Sequence, residues 1–124
     1  MIVRSTAALA LLAVLTTGAA AQDGAALFAP CRACHALDPA APATAGPNLS
    51  GLLGRKVAGD ARFDYSPVLR QAREAGRTWT ADALEKFIAD PEAMFPGTWM
   101  SRIPLANVAD RQALVRFITD PASR

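Results

Sequence analysis

Apolar residues near the C-terminus recur at the spacing of one helical face. Leu114, Phe117 and Ile118 lie at i, i+3 and i+4, which places their side chains on the same side of a helix. Asn107 is a typical N-cap before this stretch, and Asp120-Pro121 is a typical stop after it. The pattern predicts an amphipathic helix between residues 107 and 120.

Start and stop signals predict two more helices in the second half of the chain. Ser66 and Pro67 are typical of an N-cap and a first helical position, and Gly76 is a typical stop. Thr80 is a second N-cap, and the helix that follows it is predicted to end at Asp90-Pro91. Its apolar stripe consists of Leu84, Phe87 and Ile88.

The first half combines a short helix with a long loop. Residues 24–28 predict a helix that continues into the segment of Cys31 despite Pro30. From Leu37 to Asp64, prolines and glycines interrupt the chain and apolar positions show little periodicity. A loop of this length in a small domain usually wraps something. Since no stretch alternates apolar and polar residues for the length of a strand, the predicted fold class is all-α.

Residues 1–21 show the three-part pattern of a secretory signal peptide. Arg4 supplies a positive charge, Ala7 to Leu15 is uninterrupted apolar sequence, and Ala19 to Ala21 form a small-residue cleavage site. An uncleaved membrane anchor is the alternative, which the short apolar centre disfavours. We expect residues 1–21 to be removed in the periplasm, leaving residues 22–124 as one domain with no membrane span.

Net charge, cysteine count and chain length exclude several classes of protein and of binding partner. Thirteen Lys and Arg against 11 Asp and Glu give a net charge of +2. That excess is too small for a nucleic-acid partner, because phosphate binding requires a strongly basic surface. Two cysteines are too few for a disulfide scaffold, and 124 residues exclude a multidomain enzyme.

The cysteines and the single histidine form the motif C-x-x-C-H at residues 31–35, which is typical of covalent haem c attachment. On a helical turn, Cys31, Cys34 and His35 share one face, so two thioethers and an iron ligand can reach one haem. A thioredoxin-like redox pair would need a βαβ context, which this sequence lacks. A zinc site would need about four Cys or His ligands, and a plain disulfide would leave the adjacent histidine unexplained. The motif predicts one covalently attached haem c.

A second iron ligand would decide whether the haem can bind a substrate. Met100 follows the segment 96–98, in which proline stiffens the backbone and glycine allows close approach to a flat group. Ligation by His35 and Met100 would raise the reduction potential. Either Met100 or Met94 can instead fill the core, which is the preferred interpretation for Met94.

In this order and spacing, the motifs resemble those of the class I c-type cytochromes, small electron carriers of bacteria and mitochondria. The resemblance covers residues 23 to 121. It rests on CRACH at 31–35, Gly46-Pro47-Asn48-Leu49, Gly54-Arg55, Phe63-x-Tyr65, Thr78-Trp79 and Pro96-Gly97-Thr98-x-Met100. It implies the cytochrome c fold, with three main helices and long loops around one haem, and with the first and last helices crossing near Gly24 and Phe117.

The resemblance also implies roles for individual side chains. It makes His35 the proximal ligand, with its other ring nitrogen bonded to the Pro47 carbonyl, and Met100 the distal ligand. A buried haem propionate would then be held by Arg55, Tyr65, Trp79 and Thr98. Ordinary aromatic packing is the alternative for Tyr65 and Trp79, and it predicts the same burial.

Some positions depart from the mitochondrial pattern. Arg102 stands where an aromatic residue is usual, and Phe87 where a tyrosine is common. Arginines replace the usual lysine-rich rim, and three of them have the spacing of a helical stripe: Arg70, Arg73 and Arg77. The stripe is either a solvated face or a docking patch for an acidic partner.

These observations predict a monomeric one-electron carrier, not an enzyme, whose partners are redox proteins that donate and accept its electron. A dedicated redox subunit of a dehydrogenase complex is one alternative. A ligand-binding haem sensor or peroxidase-like protein is another, if Met100 is labile, and Arg102 is the residue that supports it.

Overall fold

The computed structural model describes residues 23–124, and the predicted signal peptide lies outside them. The α-helices in this part of the chain are α1 (Gly24–Phe28), α2 (Pro67–Glu74), α3 (Ala81–Ala89), α4 (Pro91–Met94) and α5 (Val108–Thr119). Two short 3-10 helices cover Ala29–Ala33 and Pro121–Ser123. None of the helices between residues 23 and 124 has the length and apolar character that crossing a membrane requires.

The predicted all-α class is confirmed. Within residues 23–124 the nearest approach to a sheet is one isolated antiparallel bridge between Lys56 and Thr78. Around it, the Gly54 N–H donates to the Trp79 carbonyl at 2.7 Å, and the Trp79 N–H donates to the Arg55 carbonyl at 2.9 Å. The bridge therefore holds Arg55 and Trp79 side by side.

Helix ends follow the predicted caps. Thr80 accepts a hydrogen bond from the Ala83 N–H at 3.1 Å, and Asn107 accepts one from the Ala109 N–H at 2.8 Å. Gly76 has a φ of +76°, which ends the chain's helical path after α2. The predicted apolar stripes are buried: Leu84, Phe87 and Ile88 in α3, and Leu114, Phe117 and Ile118 in α5.

The first helical segment continues into Cys31 as predicted, although the chain tightens from an α-helix to a 3-10 helix at Ala29. The arginine stripe is broken, because α2 ends at Glu74 and Arg77 lies beyond it. The Arg77 guanidinium instead stacks on the Phe95 ring, 4.6 Å from its centroid.

The core behind the loop segments is an aromatic cluster. The Trp79 ring lies 5.2 Å from the Phe87 ring and 6.3 Å from the Phe95 ring, centroid to centroid. All three side chains are buried. Trp79 is therefore fixed by packing as well as by its backbone bridge to residue 55.

Candidate functional site

The motif of residues 31–35 forms a single tight turn. The Cys31 carbonyl accepts hydrogen bonds from the N–H groups of Cys34, at 3.1 Å, and His35, at 2.9 Å. No disulfide joins the two cysteines, of which Cys31 is half-buried and Cys34 exposed. Burial raises the pKa of the Cys31 thiol. The turn gathers two thiols and an imidazole, although Cys34 and His35 lie just after the 3-10 helix rather than within it.

The His35 ring is oriented by the loop opposite. Its Nδ1 lies 2.8 Å from the carbonyl oxygen of Pro47. Because a carbonyl can only accept, Nδ1 carries the proton and Nε2 carries the lone pair. Burial lowers the pKa of His35, against the opposing effect of the Pro47 hydrogen bond, so the neutral form is favoured. A neutral imidazole with a free Nε2 is the form that binds a metal.

Gly46 allows this contact. A Cβ at residue 46 would lie 2.6 Å from His35 Cε1 and 2.8 Å from His35 Nδ1, closer than real Cβ atoms approach. The loop can therefore lie flat on the imidazole only with glycine at this position. The requirement depends on the packing of the loop on the ring, and not on an unusual φ.

Asn48 holds the same loop from within. Its Nδ2 donates to the carbonyls of Asp38, at 2.7 Å, and Ala41, at 3.0 Å, and its Oδ1 accepts from the Ser50 N–H at 2.8 Å. The residue is almost fully buried. The sequence showed Asn48 as part of a motif but not this role, which depends on carbonyls well before it in the chain.

Three buried side-chain atoms lack a hydrogen-bond partner among residues 23–124: Arg55 Nε, Ser66 Oγ and Thr98 Oγ1. Arg55 is otherwise well bonded, since its Nη2 donates to the Asn48 carbonyl at 2.9 Å and its Nη1 to the Ser50 carbonyl at 3.3 Å. A buried polar atom without a partner is costly, so such atoms mark a place where another polar group belongs. Donors from Arg, Ser and Thr suit carboxylate oxygens, which a haem carries on its propionates.

Ser66 is the member of this set whose sequence context predicts only a helix cap. It occupies the N-cap position of α2, yet its hydroxyl makes no capping hydrogen bond there. Its burial beside Tyr65 is the signal that distinguishes it, and burial was not visible in the sequence.

Tyr65 is buried, and its hydroxyl oxygen already acts as a hydrogen-bond acceptor. Its oxygen accepts a hydrogen bond from the Asp60 N–H at 3.2 Å. The hydroxyl proton is therefore left to be donated elsewhere. Burial raises the pKa of Tyr65, which keeps that proton in place at neutral pH.

Met100 lies at the end of a stiff segment after α4. Gly97 has a φ of +88°, and its N–H donates to the Glu92 carboxylate at 3.1 Å. The Thr98 N–H donates to the Phe95 carbonyl at 2.9 Å. The Met100 side chain is half-buried and packs against the core.

The described contacts join some of the predicted site residues and not others. His35 is linked to Pro47, and Arg55 is held beside Trp79. Thr98 and Met100 lie on the separate segment after α4, and no hydrogen bond within residues 23–124 joins either to those four. Met94 also packs against the core, so packing by itself does not separate the two methionines.

Comparisons with known proteins point to one family. No family model matches the chain. Cytochrome c2 of Agrobacterium tumefaciens is 32% identical over 100 residues, covering 81% of this chain and 90% of the relative. Cytochrome c2 of Blastochloris viridis is 38% identical over 110 residues, covering 86% of this chain and 82% of the relative.

The solved structures that superpose on this chain belong to the same family. Cytochrome c2 from Rhodospirillum centenum superposes with a TM-score of 0.72 at 28% identity, over 77% of this chain and 92% of that one. Ferricytochrome c2 from Rhodopseudomonas palustris superposes with a TM-score of 0.69 at 33% identity, over 78% of this chain and 96% of that one.

Proposed function

The chain belongs to the class I c-type cytochromes, electron carriers with a covalent haem c that Cys31 and Cys34 attach here, and from that premise we propose that it shuttles single electrons between redox proteins in the periplasm. When bound, haem c supplies one-electron Fe(II)/Fe(III) chemistry. The polypeptide contributes the environment of that group.

We propose that His35 and Met100 would be the two protein ligands of the haem iron. The observation that carries this proposal is the 2.8 Å contact between His35 Nδ1 and the Pro47 carbonyl of the opposite loop, since His35 belongs to the turn that also holds both cysteines. It leaves a neutral Nε2 in a fixed orientation, as a metal ligand requires. Met100 is favoured over Met94 because the Gly97–Glu92 hydrogen bond stiffens the segment that presents it.

We propose that the haem propionates would be held by Arg55, Tyr65, Trp79 and Thr98, together with Ser66. This proposal is supported by the three buried side-chain atoms that lack a hydrogen-bond partner among residues 23–124, and by the Tyr65 hydroxyl proton, which remains available for donation. These donors would place buried carboxylates in a fixed, water-poor setting. Such a setting changes little between oxidation states, which favours fast electron transfer.

A carrier needs an iron whose ligand positions are all filled and that has no substrate-binding site. The His35 imidazole and the Met100 thioether would fill those positions, so we propose that the protein is not an enzyme. Arg102 supported the alternative of a ligand-binding sensor, but it is exposed and lines a surface pocket with Pro104, Leu105 and Ala106. An arginine on the outer surface is poorly placed to act over a metal, so the carrier is the better-supported function.

Periplasmic location and a monomeric state complete the proposal. The location rests on the signal-peptide pattern of residues 1–21. Gel filtration of a native extract separates a free carrier of this size from a dedicated subunit of a dehydrogenase complex.

Absorption spectra of the purified protein test the ligand set. The oxidised wild type should show the far-red band of sulfur bound to ferric iron, and the reduced protein should not bind carbon monoxide rapidly. M100A should lose the band, while the matched variant M94A should keep it. Loss of the band in M94A but not in M100A would reverse the assignment, and rapid carbon monoxide binding by the wild type would contradict a closed iron.

A further inference from the structure

Asp60 and Arg62 form an ion pair whose two members differ sharply in burial. The Asp60 side chain is 5% exposed, whereas the Arg62 side chain is 50% exposed. Arg62 Nε donates to Asp60 Oδ1 at 3.0 Å, and Nη2 donates to Oδ2 at 3.2 Å. This two-point contact fixes the carboxylate firmly.

Asp60 connects two segments of the proposed haem site. Its backbone N–H donates to the Tyr65 hydroxyl oxygen at 3.2 Å. Its Oδ2 accepts from the Asn48 N–H at 3.3 Å, and Asn48 directly follows Pro47, whose carbonyl orients His35. One residue thus anchors both the tyrosine donor and the loop behind the histidine.

The charge of Asp60 acts on this part of the site. Burial raises the pKa of Tyr65 most, and the hydrogen bond from the Asp60 N–H lowers it. The positive charge of Arg55 also lowers this pKa, whereas the negative charge of Asp60 raises it. A buried charge is screened less by water and salt than an exposed one. The interior therefore experiences the negative charge of Asp60 more strongly than the positive charge of Arg62.

We propose that Asp60 and Arg62 lower the reduction potential of the haem through the unequal burial of their charges, while the backbone N–H of Asp60 fixes the direction of the Tyr65 hydroxyl proton. The Asp60 N–H occupies the tyrosine oxygen, so the tyrosine proton points away from Asp60. A net negative field in the interior stabilises the oxidised, more positive iron. This inference rests on the proposed electron-carrier function.

Reduction potentials of the purified haem protein, measured by redox titration at about pH 8, where carboxylates stay ionised, test the proposal. D60N removes the buried negative charge and should raise the potential. R62Q removes the exposed counter-charge and should lower it. The double variant D60N/R62Q should lie between the two single variants.

An exposed ion pair on α3 provides the control. Lys86 Nζ lies 2.9 Å from Asp82 Oδ2, with side chains 64% and 73% exposed. D82N and K86Q make the same charge changes on two largely exposed side chains, and each should leave the potential close to that of the wild type.

The directions in which the reduction potentials of D60N and R62Q shift distinguish an electrostatic role from a structural one. Loosened packing would shift the potentials of D60N and R62Q in the same direction, and that result, or two unchanged potentials, would overturn the proposal. R62Q alters an exposed side chain, so a raised or unchanged potential in R62Q overturns it even if D60N does not fold. Absence of haem c bands from the wild type would instead overturn the proposed function.

Discussion

Gly24 in α1 lies directly against Phe117 in α5. A Cβ on Gly24 would lie 2.6 Å from the Phe117 Cβ and 3.1 Å from the Ala113 carbonyl oxygen. The close approach also brings the rings of Phe28 and Phe117 together, with 5.6 Å between centroids. The two ends of the domain are therefore packed together immediately before the cysteine turn.

Gly24→Ala should destabilise the protein because the added methyl has no room between the two helices. Overpacking of this kind costs about 1–3 kcal/mol. Urea unfolding followed by circular dichroism measures it, with Ala26→Ser at an exposed position of α1 as the control. An unfolding free energy equal to that of the control would show that α1 shifts easily on α5.

Gly46→Ala should displace the loop from the His35 ring, since the new Cβ would overlap Cε1 and Nδ1. We expect faster solvent exchange of the His35 Nδ1 proton in proton NMR, as its hydrogen bond to Pro47 lengthens. Ala45→Ser, at the exposed neighbouring residue, should leave that proton unchanged. Equal exchange rates in both variants would mean that the Pro47 carbonyl does not depend on glycine.

Asn48→Ala should lower the unfolding free energy by about 1–3 kcal/mol, because the carbonyls of Asp38 and Ala41 would lose the hydrogen bonds that the buried Asn48 amide donates. Thermal and urea unfolding measure the loss. Ser50→Ala is the matched control, since Ser50 joins the network through its backbone N–H rather than its side chain. If the two variants unfold alike, the side chain of Asn48 is not what holds the loop.

Stability should fall in acid through Asp60. Hydrogen bonds from Arg62 hold the pKa of Asp60 below its usual value of 3.8, so the ionised carboxylate stabilises the folded state above that value. The contribution is lost as the pH falls through the lowered pKa. Urea midpoints measured from neutral pH downward should drop less steeply in D60N than in the wild type, and parallel curves would contradict a stabilising role.

The double variant Cys31→Ala/Cys34→Ala should be largely unfolded by circular dichroism. A domain this small, with a helix-free segment from residue 37 to residue 64, lacks enough core of its own, and the covalently bound group supplies the missing apolar centre. Arg32→Ala, within the same turn, should retain haem and fold. A cooperatively melting protein without haem would show that the loops hold themselves in place.

Much of the fold was predictable because helix signals are local. A cap, a stop and an i, i+3, i+4 stripe lie within one element, and α3 and α5 begin and end where Thr80, Asn107 and their stop residues predict. The prediction was wrong where a tertiary contact replaces a periodic one. Arg77 has helical spacing from Arg70, yet it lies past the end of α2 and stacks on Phe95.

The sequence by itself determined the chemistry on offer: two thiols and an imidazole in one turn, and a methionine after a stiff Pro-Gly segment. Only the tertiary structure decided which groups are buried, which polar atoms have hydrogen-bond partners and which side chains face each other. Ser66 became a candidate propionate ligand because its buried hydroxyl lacks a hydrogen-bond partner among residues 23–124. Asp60 became a candidate for tuning the potential because it is buried while its partner Arg62 is exposed. Burial and pairing depend on segments distant in the chain, so no local pattern encodes them.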